Sequence, residues 1–180
     1  MDAIITLSQL YPAVFYSLVF FVSLMVGSFL NVVIYRLPIM MERSWQQEYQ
    51  SYFSEGEPTP HDKNSSASEE VFNLVKPDST CPSCGHKIRA WENIPVISYL
   101  FLKGKCAKCK VGISVRYPLV ELFTALACTF AAYQFGVTSQ ALWAVLFTYI
   151  LVALLFIDLD KMLLPDQLTL PLLWLGLLLS

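Results

Sequence analysis

From Tyr11 to Tyr35 the chain runs without a charged residue, and apolar positions dominate the stretch. About 20 apolar residues cross a bilayer, so the pattern predicts a membrane-spanning helix with some tilt. Ser17, Ser23, Gly27, Ser28 and Asn31 interrupt its apolar surface. Such residues let helices approach closely and hydrogen-bond across an interface, or they touch a substrate; both readings stay open. Arg36 and Pro38 predict the end of this helix and set a first unit at 1–38. Asp2 and the lack of Lys or Arg before Arg36 exclude the basic n-region of a removable signal peptide. The span is read as retained.

Between about Ile39 and Arg116 the pattern turns polar. Residues 39–79 are rich in Ser, Glu and Gln with Pro and Gly interspersed, which predicts a flexible connection. His61 falls there and reads as a solvated loop histidine. Residues 80–116 differ: paired cysteines, Trp91, Ile94, Val96, Ile97 and Leu100 predict a small folded module.

Apolar periodicity then returns. Tyr117–Phe135 is apolar except for Glu121, Thr124, Thr129 and Gln134, and Gln140–Ile157 has no charge. The four residues GVTS at 136–139 read as the turn of a helical hairpin. Leu168–Leu179 is a further apolar run too short to span a bilayer, so the chain is expected to be part of a longer protein. The fold class expected is an all-α polytopic membrane protein, a helical bundle, with a small zinc-binding loop module.

Composition agrees. The chain is 56% hydrophobic and 14% charged, against about 25% charged in soluble domains. A net charge of −2 speaks against a nucleic-acid partner. Eleven of the twelve Lys and Arg lie between Arg36 and Arg116, and the twelfth is Lys161. The N-terminus and the GVTS turn have none. The positive-inside rule therefore places the cysteine module in the cytoplasm. Counting spans puts Asp158 at the cytoplasmic end of the third.

Four of the five cysteines form Cys81-Pro-Ser-Cys84 and Cys106-Ala-Lys-Cys109, with 21 residues between the pairs. Each C-x-x-C lets two thiolates grip one ion, and four complete the tetrahedral shell of structural zinc. Two disulfides or redox pairs are the competing reading, disfavoured by a reducing cytoplasm. Lys87, Arg89, Lys103, Lys105, Lys108 and Lys110 are expected to help hold the thiolates deprotonated. His86 is a substitute ligand, although four cysteines already fill the shell. Cys128 lies in the second span and reads as a small buried apolar residue. Metal binding would supply folding free energy that so short a segment cannot draw from a core of its own.

Asp158, Asp160 and Asp166 gather at one membrane boundary in FIDLDKMLLPD. Asp166 after Pro165 suits a helix N-cap, and Asp160 suits a pair with Lys161 or contact with water. Asp158 directly follows the long apolar helix and is the best candidate for a site facing the bundle. Aspartic proteases use two carboxylates that share one proton. Asp160 is a poor partner for Asp158, because two residues along a helix are about 200° apart. Glu121 is the alternative acid within this chain.

These motifs resemble the type IV prepilin peptidases, the leader peptidase/N-methyltransferases. The matching stretches are GSFLNVVIYRLPIMME (Gly27–Glu42), CPSCGHKIRAWENIPVISYLFLKGKCAKCK (Cys81–Lys110), ISVRYPLVE (Ile113–Glu121) and IDLDKMLLPD (Ile157–Asp166). The resemblance implies an inner-membrane aspartic endopeptidase that removes the leader of type IV prepilins and type II secretion pseudopilins at the cytoplasmic face. It further implies N-methylation of the new terminus from S-adenosylmethionine. By this resemblance Asp158 is the first catalytic aspartate, Cys81, Cys84, Cys106 and Cys109 hold zinc, and residues 117–180 begin the peptidase membrane domain. The family's second aspartate lies in a G-x-G-D motif that this sequence lacks, so the 180 residues alone are expected to be inactive as a peptidase. Two further functions compete: a non-catalytic zinc module docking a secretion or pilus assembly partner, and a membrane redox protein.

Overall fold

The structure is a computed structural model that describes residues 11–54, 72–74, 79–81, 83–89, 92 and 94–179. Its elements are α1 (Pro12–Ser54), α2 (Ile97–Phe101), α3 (Arg116–Phe135), α4 (Ser139–Lys161) and α5 (Asp166–Leu179). Among the described residues there is no strand, only two isolated β-bridges within the cysteine module. Three helices, α1, α3 and α4, are long and apolar enough to cross a membrane. The expected helical membrane architecture stands.

The bundle core is built from α1, α3 and α4. Leu30, Val33, Ile34 and Leu37 of α1 meet Val120 of α3 and Val152, Ala153 and Ile157 of α4. Most of the remaining apolar surface, such as Leu18, Phe21, Leu126 and Phe130, points outward. In water that would be a large exposed apolar area; in a bilayer it is the solvated face.

The small and polar residues of α1 mark its packing face. Ser23 Oγ hydrogen-bonds the Tyr149 hydroxyl at 2.8 Å, and Asn31 Nδ2 donates to the Tyr117 carbonyl at 3.1 Å. Between them lies Gly27: a Cβ there would sit 2.9 Å from Glu121 Cα and 3.3 Å from Thr124 Cβ. Ser23, Gly27 and Asn31 are four residues apart and therefore share one helix face. Their role is close helix approach, and Ser28 is buried beside them. Ser17 does not take part; it is exposed and donates to Ala13 O in its own helix.

One boundary differs from the sequence reading. Helix α1 does not end at Arg36 and Pro38 but continues to Ser54 with Pro38 inside it. Proline removes one i→i−4 hydrogen bond and costs roughly 3 kcal/mol, which kinks a helix without having to end it. Residues beyond Pro38 include good helix formers, among them Met40, Met41, Glu42, Arg43 and Gln46. Tertiary contacts flank Pro38 on both sides. Arg36 Nη1 donates to the Asn73 and Leu74 carbonyls at 3.0 and 3.3 Å. The Phe72 ring lies 4.4 Å from the Arg43 guanidinium, and Leu74 packs on the core. Residues 39–54 are thus helix rather than flexible connection. Residues 55–71 and 75–78, with His61, lie outside the described residues.

The hairpin between α3 and α4 is as the sequence suggests. Gly136 takes φ +65°, a left-handed conformation that glycine adopts without a Cβ penalty. Thr138 caps α4, its Oγ1 accepting from Ala141 N at 3.3 Å. Cys128 is fully buried.

Replacing Gly27 with Val should force α1 away from α3, because the obstructing atoms are backbone. A loss of roughly 1–3 kcal/mol is expected, read as a lower unfolding midpoint in detergent. Gly176→Ala, where nothing lies within 4 Å of the added Cβ, should leave the midpoint unchanged.

Candidate metal centre and active site

The four paired cysteines converge. The sulfurs of Cys81, Cys84, Cys106 and Cys109 all lie within 4.8 Å of one another. Cys81 Sγ is 3.7 Å from Cys109 Sγ, and Cys84 Sγ is 4.0 Å from Cys106 Sγ. A tetrahedral zinc shell with Zn–S bonds of about 2.3 Å separates its sulfurs by about 3.8 Å. The donor set therefore fits one zinc ion. All four cysteines are free thiols, not the disulfides of the competing reading.

Two matching turns place them. In the first, Cys81 N donates to His86 O at 2.9 Å and Gly85 N to Cys81 O at 2.9 Å. In the second, Cys106 N donates to Val111 O at 2.8 Å and Lys110 N to Cys106 O at 3.1 Å. Each is closed by a bridge, Thr80 with Lys87 and Lys105 with Gly112. The residue after the second cysteine turns left-handed in both, at φ +66° for Gly85 and +60° for Lys110. The sequence shows the glycine in one turn, but Lys110 conceals the same backbone need in the other.

The thiols are not equivalent. Backbone N–H groups of Cys109 and Lys108 lower Cys106 to about 6. At Cys109 the Val111 N–H acts in the same direction, but burial and the three neighbouring thiols outweigh it and raise the group to about 11. Backbone amides, not the expected lysine ammonium groups, favour the Cys106 thiolate. His86 is not a ligand: its Nε2 lies 3.2 Å from Glu92 Oε2, which also accepts from Arg89 N.

The module is tied to the membrane helices by an acid. Glu121, in the second turn of α3, is 7% exposed. Its Oε2 accepts the Val96 N–H at 2.8 Å, immediately before α2. Val96 has φ +56°, a conformation costing a β-branched residue roughly 1–3 kcal/mol unless its surroundings hold it. This bond was not anticipated from sequence. The one signal was a carboxylate inside an apolar helix, which has to find a partner.

The aspartates are arranged differently from the expectation. Asp158 is exposed and does not face the bundle. The preceding Ile157 is fully buried, and one residue further turns the side chain about 100°. The Asp158 carboxylate makes no hydrogen bond or ion pair among the described residues. Glu121 bonds Val96 and makes no bond to Asp158 among the described residues. Asp160 pairs with Arg116 of α3 rather than with Lys161, and Lys161 Nζ lies 3.2 Å from Glu42 Oε1 of α1. Asp166 is the first residue of α5, inside the first turn rather than at the cap, where a negative charge suits the helix dipole. Asp158 is thus an uncommitted carboxylate on a rim where Glu42, Arg116, Asp160 and Lys161 are paired.

Elemental analysis of the purified protein should give about one zinc per chain. Cys81→Ser or strong chelation should open residues 80–116 to protease while α3 and α4 stay protected, since the metal supplies much of the folding free energy of so small a module.

The profile of the bacterial peptidase A24 N-terminal domain matches residues 21–135, and that of the type IV leader peptidase family matches residues 145–180. A prepilin leader peptidase/N-methyltransferase of Aeromonas salmonicida is 57% identical over 178 residues, covering 99% of this chain and 59% of the relative. Proteins of the same name from Pseudomonas aeruginosa and Neisseria gonorrhoeae are 51% and 50% identical, covering 93% and 86% of this chain. They are covered over 55% and 52% of their own lengths; the chain thus spans rather more than half the length of these curated relatives. No solved structure matches. The four-cysteine module, the apolar helices that carry it and the two profile matches together show that this chain belongs to the bacterial type IV leader peptidase family.

Proposed function

We propose that the full-length protein removes the leader peptide of type IV prepilins and type II secretion pseudopilins at the cytoplasmic face of the inner membrane and then N-methylates the new terminus. The observation that carries this reading is Asp158. It stands uncommitted at the end of α4, within the region matched by the type IV leader peptidase profile. Asp160, Lys161, Arg116 and Glu42 around it are paired with one another. A carboxylate there is open to water and to a peptide lying along the membrane surface.

In this reading Asp158 is one half of a dyad sharing a proton. Its ionised form accepts a proton from the attacking water. The second, protonated carboxyl polarises the scissile carbonyl. That second acid comes from a G-x-G-D motif on a further helix of the full-length protein. Glu121 does not serve, because its carboxylate holds Val96. The closed four-sulfur site has no open coordination position, so zinc there fixes the module's fold and takes no part in hydrolysis. S-adenosylmethionine, when bound, supplies the methyl group. The names of the relatives and the presence of both profile regions support the two-step activity.

In the full-length protein, Asp158→Asn should abolish prepilin cleavage in a leader-removal gel assay, with zinc content and membrane insertion unchanged. Asp166→Asn should retain most of the activity. Normal cleavage by the Asp158→Asn protein would remove this residue from the site. The orientation is tested separately. Reporter fusions in the 80–116 module should be active only in the cytoplasm, and fusions at Gly136 only in the periplasm.

A further inference from the structure

The cysteine module presents a surface that the peptidase reading does not use. Helix α2 packs Tyr99 inward, where its hydroxyl would collide with any Cβ on Gly104 and donates to Ile113 O at 3.3 Å. The other side of the same turn is bare: Ile97, Leu100 and Phe101 are 46%, 69% and 84% exposed. Phe101 is followed directly by a basic loop. Between Asn93 and Val115 the chain has Lys103, Lys105, Lys108 and Lys110 and no Asp or Glu. All four lysines are exposed, and none has an ion-pair partner among the described residues.

The depth of this surface is fixed by the Glu121–Val96 bond. Glu121 is five residues beyond Arg116, so it sits about 7.5 Å further along the helix axis. Arg116, paired with Asp160 and level with the Glu42–Lys161 pair, marks the polar rim. Tying Val96 to Glu121 sets α2 beside the first turns of a membrane-spanning helix. An apolar turn at that level, followed by unpaired lysines, has the chemistry of an interfacial anchor. Apolar side chains enter the headgroup–acyl boundary, and each lysine near an anionic surface adds attraction.

We propose that Ile97, Leu100 and Phe101 dip into the same leaflet that α3 crosses, with Lys103, Lys105, Lys108 and Lys110 binding the anionic headgroups of its lipids. The occupant is the bilayer, because the surface is continuous with a membrane helix and its charge is complementary to acidic lipid. The inference is independent of the catalytic role of Asp158 and stands or falls separately from it.

The test uses the full-length protein in nanodiscs of phosphatidylcholine alone or mixed with phosphatidylglycerol. A photoreactive benzoylphenylalanine replaces Phe101 or, as a control on the exposed polar end of α1, Tyr52. On illumination, the probe at 101 should give phospholipid adducts by mass spectrometry and the probe at 52 none. Adduct yield at 101 should rise on the order of tenfold with phosphatidylglycerol and fall back when the four lysines are changed to Gln. Zinc content of about one per chain confirms that each variant keeps its module folded; a variant that loses zinc is replaced by Lys103→Gln/Lys105→Gln alone, outside the second C-x-x-C. Adducts only to protein, whether to a later segment of the chain, a second copy or a prepilin, would overturn the proposal. So would lipid adducts indifferent to phosphatidylglycerol and to the lysines.

Discussion

A carboxylate placed inside an apolar helix has to be satisfied within the protein, because the surrounding hydrocarbon offers no water. In this chain that constraint is met at Glu121, and the layout of the described residues depends on it. The glutamate lies where Gly27 of α1 packs against the backbone of α3, and its side chain reaches the amide of Val96. One residue therefore sits at a close contact of two membrane helices and attaches the cysteine module to them. The left-handed Val96 is the local cost of that attachment.

The module illustrates how a short segment acquires structure without a core of its own. Its two turns repeat the same hydrogen bonds around a C-x-x-C, and each is too small to bury much apolar surface. Four sulfurs drawn to tetrahedral separations do the work that a hydrophobic core does in a larger domain. The backbone amides that lower Cys106 belong to the same turn, so the fold and the readiness to bind metal have one origin.

At the rim, charges from three helices sort themselves. Glu42 of α1, Arg116 of α3 and Asp160 and Lys161 of α4 form two cross-helix pairs. Exposed pairs of this kind contribute at most about 1 kcal/mol each to stability; their consequence here is to engage Asp160 and leave Asp158, like Asp166, unpaired among the described residues. The difference between Asp160 and Asp158 is geometric. It follows from the 100° step per residue and from which helices stand next to α4.

The sequence by itself determined the parts whose physics is local or periodic. Long apolar runs specify membrane helices, GVTS a turn, and C-x-x-C spacing a four-sulfur site, because hydrophobic period and ligand spacing are written along the chain. Ser23, Gly27 and Asn31 were legible as interruptions of an apolar face, and their contacts decided for packing. Only the tertiary structure decided what depends on neighbours distant in sequence. Pro38 and falling hydropathy suggested the end of α1, yet the helix runs to Ser54, and Phe72, Asn73 and Leu74 return to meet it at Arg36 and Arg43. Asp160 chose Arg116, 44 residues away, over the adjacent Lys161. Glu121, an open candidate for the second acid, was claimed by an amide 25 residues before it. Partner choice among charges is set by which helix ends lie level with one another, and that is a property of packing in three dimensions.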